Sequence, residues 1–294
     1  MQPFRALTDE EGKHARRFMN AMATQLSNSF HLEQSEGSIQ PDALLSLLGG
    51  SSPAYVAKRV VSRTECDQIW QNFQRVSAQR RKDNVPGIHI GAFHYGKTTD
   101  EYFEEVEENG PGTSELLSGT SDPISAIHEA LGSALKQRTF AYRPASSLGR
   151  SAGRFIARSW TDGGEYALAP HEDRSQLQHP AQRGFEIQQV ANKTVVGVNL
   201  CIRSSDKHGA LLVWNKRPDE EERIKLGVQY LGYPYPPSFV KDQECLRILP
   251  EPGDIYCVNG TLLHAVEKQK TNETRLSLSF IIGFIDDATV VYWT

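Results

Sequence analysis

The chain has 294 residues and a net charge of −4 at pH 7, and its acidic and basic residues are interspersed. That length is enough for one large domain with a sizeable core. The sequence has no basic stretch typical of a nucleic-acid partner, and no apolar run approaches the roughly 20 residues of a membrane span. Its first residues have no apolar segment typical of a secretion signal, and its four cysteines form no CxxC pair. We therefore expect a cytoplasmic protein that binds neither nucleic acid nor membranes.

Residues 1–148 are predicted to be mainly helical or loop-like and to support the rest of the chain. N-cap residues and apolar spacing predict helices, and β-branched residues predict one strand. The helices are expected over 8–31, 64–81 and 122–138, and the strand over 55–61. Between them, Gly87–Gly96 contains two histidines and two aromatic residues bracketed by glycines. This segment is predicted to be either a strand edge or part of a site.

From residue 149 to residue 294 the sequence predicts a β-rich core that forms one integrated domain with the N-terminal region. Short apolar runs alternate with Gly, Pro, Asn and Asp turns, which is typical of many mostly antiparallel strands in a jelly roll. The predicted strands are 154–160, 194–202, 210–214, 245–249, 254–258 and 275–284. Residues 215–244 interrupt this pattern as a charged, then Tyr- and Pro-rich insertion, which we expect to be a solvated loop rather than a lid.

Three polar residues in this half have the chemistry of a metal site. His171 and Asp173 are two positions apart, so on an extended chain their side chains share a face while Glu172 points away. A third ligand must come from another strand, and His264 follows a strand and a turn. His179 and His208 are alternatives. Two histidines and one carboxylate form a set that suits Fe(II), Mn or Zn and leaves open positions on non-haem Fe(II).

Arg275 begins an otherwise apolar strand, eleven residues after His264. A buried arginine is costly unless it has a partner, and its planar guanidinium matches a carboxylate through two hydrogen bonds. Ser277 shares its face and could bind the same anion. We therefore predict a carboxylate anchor on a strand adjacent to that of His264. The alternative is a structural Arg–Asp pair.

Together these motifs resemble the signature of the Fe(II)/2-oxoglutarate-dependent dioxygenases, over roughly residues 150–285. The motifs are His171-x-Asp173, His264, Arg275-x-Ser277 and the turn Pro252-Gly253-Asp254. The resemblance implies a mainly β fold with some α, whose core is a double-stranded β-helix of the jelly-roll or cupin type with N-terminal helical support.

The same resemblance implies a cofactor and two cosubstrates. His171, Asp173 and His264 would hold Fe(II), and O2 would be one cosubstrate. Arg275 and Ser277 would bind the distal carboxylate of the other, 2-oxoglutarate. Arg158, thirteen residues before His171, could reach the other end of 2-oxoglutarate or the substrate. The alternative is that this face of its strand is exposed to solvent.

The length and spacing resemble the small-molecule branch of this superfamily, which acts on amino acids or natural-product intermediates and is related to carrier-independent halogenases. Halogenases lack the carboxylate ligand, so Asp173 favours hydroxylation of an unactivated C–H bond, with desaturation or oxidative cyclisation as alternatives. Position alone indicates further residues near the substrate, namely Phe93, His94, Tyr95, Trp160, Arg174, Asn199 and Phe284.

Two readings from other classes stay open. A zinc hydrolase or isomerase could use the same metal ligands, but it leaves Arg275 and Ser277 without a role. A non-catalytic, cupin-like binding module is the other reading, and dependence on 2-oxoglutarate separates both from an oxygenase. The oligomeric state is also open, because the apolar segment 289–293 reads equally as a core strand or as a homodimer contact.

Overall fold

A computed structural model describes residues 25–26, 30–78, 87–160, 165–269 and 274–294. The predicted first helix lies almost entirely outside these residues, as does the end of the predicted second helix. In the described parts, the α-helices are α1 Pro41–Leu48, α2 Arg63–Ala78, α3 Thr99–Leu116, α4 Pro123–Lys136 and α5 Glu220–Lys225.

The strands outnumber the helices and are concentrated after residue 140. In chain order they are β1 Leu32–Glu36, β2 Ala54–Lys58, β3 Ile88–Ile90, β4 Ala141–Pro144, β5 Ser146–Ser147, β6 Arg150–Ser151, β7 Ile156–Trp160, β8 Tyr166–His171, β9 Val195–Arg203, β10 Leu211–Trp214, β11 Cys245–Ile248, β12 Ile255–Asn259, β13 His264–Glu267, β14 Arg275–Phe284 and β15 Thr289–Trp293. The predicted sheet-dominated architecture is therefore confirmed.

The larger sheet has the strand order β1-β2-β12-β9-β14-β15-β4, with β7 beside β14 and β3 beside β7. The pairs β1–β2 and β15–β4 are parallel, and the others are antiparallel. Four of its strands come from the first 148 residues, for which the sequence indicated one strand over 55–61 and a possible strand edge within 87–96. The N-terminal region thus completes the sheet as well as supporting it.

The smaller sheet has the order β11-β10-β13-β8 and faces the larger one. Apolar residues of both sheets pack together between them, among them Val56 and Cys201 from the larger sheet and Leu211 and Val213 from the smaller. Next to this packed region lies a cavity that residues of both sheets line. The region between the sheets is therefore packed in one part and open in another, and the open part can hold a site.

The side chains of β14 point alternately to the cavity and to a second hydrophobic core, which lies on the opposite face of the large sheet. Leu276, Leu278 and Ile282 pack on the other face of the large sheet, against α1, α2 and α4. Because successive strand residues point to opposite faces, Arg275 and Ser277 point into the cavity.

No helix in the described ranges is long and apolar enough to cross a membrane.

The segment 289–293 is a core strand of this chain. It forms β15, which pairs with both β14 and β4. Val291 and Trp293 are 0% exposed. Of the two alternatives for this segment, the structure therefore supports the core strand.

The insertion 215–244 packs on the protein, so the prediction of a solvated loop is wrong. Its Val228 and Tyr235 are buried with Trp214 of β10. Its backbone also bonds to the end of β8, since Tyr235 N–H donates to Pro170 O at 2.8 Å and Gly232 O accepts from Glu172 N–H at 2.9 Å. The aromatic residues of the insertion, which the sequence suggested were part of a loop, provide apolar surface that packs against the small sheet.

Candidate active site

His171, Asp173 and His264 form a cluster at one side of the cavity. His171 ends β8 and His264 begins β13, and these strands pair with the two histidines directly opposite each other. Asp173 Oδ2 lies 3.4 Å from His264 Nε2, and Asp173 Oδ1 lies 4.0 Å from His171 Nε2. One potential ligand atom from each residue lies within 4.8 Å of the other two, so the three could hold one metal ion. His179, an alternative ligand, instead caps a short 3-10 helix through Nδ1.

Both histidines of the cluster are oriented by the backbone. His171 Nδ1 lies 2.9 Å from Ala169 O, and His264 Nδ1 lies 2.9 Å from Leu262 O. A carbonyl oxygen can only accept, so each Nδ1 carries a proton, and each Nε2 is the ring nitrogen that faces Asp173. Such a second hydrogen bond is what fixes the tautomer and ring orientation of metal-binding histidines.

The charges in the cluster keep Asp173 ionised and His171 neutral. Burial alone would raise the pKa of Asp173, but His264, His171 and Arg158 lower it to about 2, so the carboxylate stays ionised. Burial, assisted by His264, lowers the pKa of His171 to about 3. Burial also acts to lower the pKa of His264, but the Asp173 carboxylate outweighs it and raises that pKa. A bound cation would displace the proton that His264 shares with Asp173.

Asp173 is held by a close approach of the backbone at Gly260. Asp173 N–H donates to Gly260 O at 2.7 Å. A Cβ atom at residue 260 would lie 2.6 Å from Asp173 Oδ2 and 3.2 Å from a methyl group of Val195. Only glycine therefore leaves the carboxylate in place.

We expect Gly260→Ala to weaken Fe(II) binding roughly 10- to 100-fold, the usual effect of disturbing the surroundings of a metal ligand. The added methyl group must push the Asp173 carboxylate out of the cluster. Chelator competition on the purified protein would measure the affinity. Gly110→Ala is the matched control, because a Cβ there meets nothing within 4 Å. Equal Fe(II) affinity in the two variants would contradict this role for Gly260.

Arg275 lies across the cavity from the His171–Asp173–His264 cluster. It begins β14 of the large sheet, whereas β13 belongs to the small sheet, so the prediction of adjacent strands is wrong. Arg275 is 3% exposed, and its Nη2 donates to Tyr256 Oη at 2.8 Å. Its Nε and Nη1 are buried without a hydrogen-bond partner among the described residues. A buried guanidinium with two unsatisfied donors is a site for an anion.

A chain of polar groups continues from Arg275 along the cavity wall. Ser277 Oγ lies 3.2 Å from Ser279 Oγ, and Ser279 Oγ donates to Asn199 Oδ1 at 2.8 Å. All three residues line the cavity. The structure thus brings Ser277 and Asn199, two residues singled out in the sequence, to the same wall.

Arg158 lies where this inner cavity meets a second, outer one. It is on β7, directly opposite Ser277 of β14, and it lines both cavities. Burial lowers its pKa, while the nearby Asp173 and Tyr256 act in the opposite direction. Its charge therefore faces the metal cluster from the large sheet.

The outer cavity opens beside His171 and Asp173 and is mostly apolar. Phe93, His94 and Tyr95, which the sequence singled out as residues near the substrate, line it. Sequence reasoning missed several other residues of the two cavities, namely Ala167, Gln176, Leu231, Tyr233 and Tyr256. The sequence did contain a signal for Tyr256. Its neighbour on β12, Cys257, belongs to the core on the helical side of the large sheet, so Tyr256 points to the cavity side. For Leu231 and Tyr233 there was none, because they come from the insertion.

Three residues predicted near the substrate are not shown there. Phe284 packs edge-on against Phe140 on the helical side of the large sheet, because it is an odd number of residues from Arg275 and so points to the opposite face. Arg174 has Arg223 and Glu172 as its charged neighbours instead. Trp160 ends β7 opposite Arg275, but its side chain lies outside the described part of the chain.

Comparison with known proteins gives the class of this site. No family model matches the sequence. An L-isoleucine 3(1)-dioxygenase of Pantoea ananatis (strain AJ13355) is 31% identical over 280 residues, which cover 91% of this chain and 94% of that enzyme. An L-gamma-glutamyl-L-propargylglycine hydroxylase of Streptantibioticus cattleyicolor is 24% identical over 179 residues, 60% of each chain. Among solved structures, an N-substituted L-amino acid dioxygenase of Burkholderia ambifaria AMMD has a TM-score of 0.54 at 16% identity, over 86% of this chain and 91% of that one.

The two-sheet fold and the His-Asp-His cluster are those of a protein that can hold one non-haem metal ion between its sheets. More narrowly, the chain belongs to the Fe(II)/2-oxoglutarate-dependent dioxygenase family, together with the Pantoea L-isoleucine 3(1)-dioxygenase. It is an enzyme that oxidises small molecules. Family membership decides against the zinc hydrolase and the binding module. The relation to carrier-independent halogenases stays a prediction.

Proposed function

We propose that this enzyme hydroxylates an aliphatic C–H bond of a free L-amino acid, with Fe(II) as cofactor and 2-oxoglutarate and O2 as cosubstrates. One observation carries the proposal. The His171–Asp173–His264 cluster and Arg275, which has unsatisfied donors, line one cavity from opposite sheets. A metal-chelating dicarboxylate is the kind of ligand that satisfies both ends.

The donor set fits iron. Two neutral imidazole nitrogens and one ionised carboxylate on one side of the ion leave positions free for a chelating cosubstrate and O2. Each imidazole is held through Nδ1 by a carbonyl, and Asp173 is held at Gly260. When bound, iron and 2-oxoglutarate would supply the oxidising chemistry of this family, so the protein itself has to bind, orient and exclude water.

The residues of the large sheet fit 2-oxoglutarate. Arg275 Nε and Nη1 would take the distal carboxylate in a two-pronged contact, with Tyr256 holding the third nitrogen of the guanidinium in place. Ser277 would add a hydrogen bond from the same face. Arg158 is close enough to Asp173 to affect its pKa. We therefore assign it to the end of 2-oxoglutarate near the metal, or to an anionic group of the substrate.

The outer cavity fits an aliphatic amino acid. Phe93, Tyr95 and Leu231 give it an apolar lining, and His94 and Gln176 add polar groups. The Pantoea relative is named for L-isoleucine, and the Streptantibioticus relative is named as a hydroxylase. These names favour hydroxylation over desaturation or oxidative cyclisation, and an amino acid over other natural-product intermediates. The carbon that is oxidised is not assigned.

We further propose that the two sheets form a double-stranded β-helix. Residues 1–148 and 149–294 would then be the support and core of one integrated domain. The fold shared with the Burkholderia dioxygenase supports this arrangement. Four free cysteines, three of them buried, support a cytoplasmic location. We assign no nucleic-acid or membrane partner and leave the oligomeric state, a homodimer included, open.

The test is anaerobic visible absorption of the metal-free protein, with Fe(II) and then 2-oxoglutarate added. We expect a weak charge-transfer band that requires both additions, because only a keto-acid chelated to Fe(II) produces it. Admitting O2 with a panel of aliphatic L-amino acids should then yield succinate and a product that is one oxygen atom heavier. Bound Fe(II) without the band at saturating 2-oxoglutarate would overturn the proposal.

A further inference from the structure

We propose that Tyr233 is a specificity residue that separates the substrate cavity from a neighbouring groove and so restricts the enzyme to free, unextended amino acids. The inference rests on the proposed function, because it names what the same site excludes. It concerns the segment 231–236 of the insertion, called here the strap.

Tyr233 stands between two spaces. On one side is the outer cavity, which it lines together with Phe93 and Tyr95. On the other side is a groove lined by aromatic and proline residues, among them Tyr166, Tyr235 and Pro236. Of the residues that line the two spaces, only Ala167 and Tyr233 belong to both. The side chain of Ala167 is a single methyl group, so the phenol ring of Tyr233 is the partition that a substitution can remove.

The strap is fixed on both sides of Tyr233. Gly232 O accepts from Glu172 N–H at 2.9 Å, and Tyr235 N–H donates to Pro170 O at 2.8 Å. A Cβ at Gly232 would lie 2.3 Å from Glu172 O, and the residue has a φ of +65°, so only glycine allows this close approach. Both contacts fall on the residues that flank His171. The partition is therefore held in register with the metal cluster.

The ring of Tyr233 lies beside the metal-binding residues, where it can limit the size of the substrate. Tyr233 lies edge-on to His171, with the ring centroids 6.3 Å apart. It is also close enough to Tyr95 to contribute to that residue's raised pKa, which is mainly an effect of burial. Tyr233 and Tyr95 thus narrow the cavity near the metal, and a substrate with an added group would have to occupy the space of the ring. Without the ring, the groove becomes the continuation of the cavity.

The experiment compares Tyr233→Ala with the wild type on three substrates. These are the aliphatic L-amino acid that the wild type turns over fastest, its γ-glutamyl derivative extended at nitrogen, and its dipeptide with glycine, extended at the carboxylate. We expect the wild type to prefer the free amino acid. In Tyr233→Ala the ratio of kcat/KM values should move at least about tenfold toward an extended substrate, the scale on which pocket shape discriminates substrates.

Two variants serve as controls. Tyr233→Phe keeps the ring and removes only the hydroxyl, so the ratio of kcat/KM values should stay at the wild-type value. Tyr230→Ala removes an exposed tyrosine that precedes the strap in the same insertion, and it should leave the ratio unchanged. Binding of the extended substrates to the anaerobic Fe(II)–2-oxoglutarate enzyme, measured by calorimetry, should tighten in Tyr233→Ala alone. Should Tyr233→Ala fail to fold, Tyr233→Leu keeps an apolar side chain, removes the ring and makes the same comparison.

The outcomes are distinguishable. A wild type that consumes no 2-oxoglutarate with any amino acid overturns the proposed function. The wild type could instead be active while folded Tyr233→Ala, or Tyr233→Leu in its place, keeps the substrate ratio and the binding of extended substrates within about twofold of the wild-type values. Such a change is under 0.5 kcal/mol and overturns only the role of Tyr233 as a partition.

Discussion

Asp173→Ala is expected to reduce Fe(II) affinity by more than about 100-fold and to abolish amino-acid hydroxylation. Disturbing the surroundings of a metal ligand already costs 10- to 100-fold, so loss of the ligand itself costs more. The substitution removes the only carboxylate of the cluster among the described residues and leaves His171 and His264 facing each other. Chelator competition measures the affinity, and succinate formation measures turnover.

A matched control for Asp173→Ala is Glu267→Gln. Glu267 lies on β13 with His264, but its carboxylate pairs with Arg247 at the surface. It should retain both Fe(II) binding and turnover. If Asp173→Ala, shown by circular dichroism to be folded, bound Fe(II) as tightly as Glu267→Gln, the metal site would have to be placed elsewhere.

The second large effect is expected for Arg275→Ala, in the KM for 2-oxoglutarate rather than in the affinity for Fe(II). Truncating one partner of a buried, hydrogen-bonded charge pair costs roughly 2–5 kcal/mol, which is about 30- to several thousand-fold in binding. Steady-state kinetics with varied 2-oxoglutarate measures KM, and the charge-transfer band reports the loss of chelation at fixed concentration. Fe(II) affinity should stay within a few-fold, because Arg275 lies on the opposite sheet from the metal cluster.

Arg203→Ala is the control for charge. Arg203 lies opposite Leu276 on the neighbouring strand β9, but it is exposed and stacks over Trp70. Its loss should leave the KM for 2-oxoglutarate unchanged. Arg275→Lys should recover only part of the affinity, because an ammonium group cannot make the two-pronged contact of a guanidinium. An unchanged KM in Arg275→Ala would exclude it as the carboxylate anchor.

The sequence alone determined the features that depend on local spacing. His171 and Asp173 are two residues apart on an extended segment, so a common face follows from the period of a strand. The same period assigns Arg275 and Ser277 to one face of β14. It also assigns Phe284 to the other face, so the sequence already contained the reason to leave Phe284 out of the site. The apolar runs likewise predicted most of the strands after residue 149, within a few residues.

Only the tertiary structure decided how these pieces meet. His264 and Arg275 are close in sequence, yet the chain passes from the small sheet to the large one between them, so they face each other across the cavity. The pairing of β8 with β13 joins residues that are far apart in the chain, and no local period encodes it. The strap is the clearest case. Its glycine, prolines and tyrosines have the composition of an exposed turn, and only contact with Pro170 and Glu172 makes them a wall of the site. Local patterns select the face of each strand, but burial against distant residues selects which faces meet.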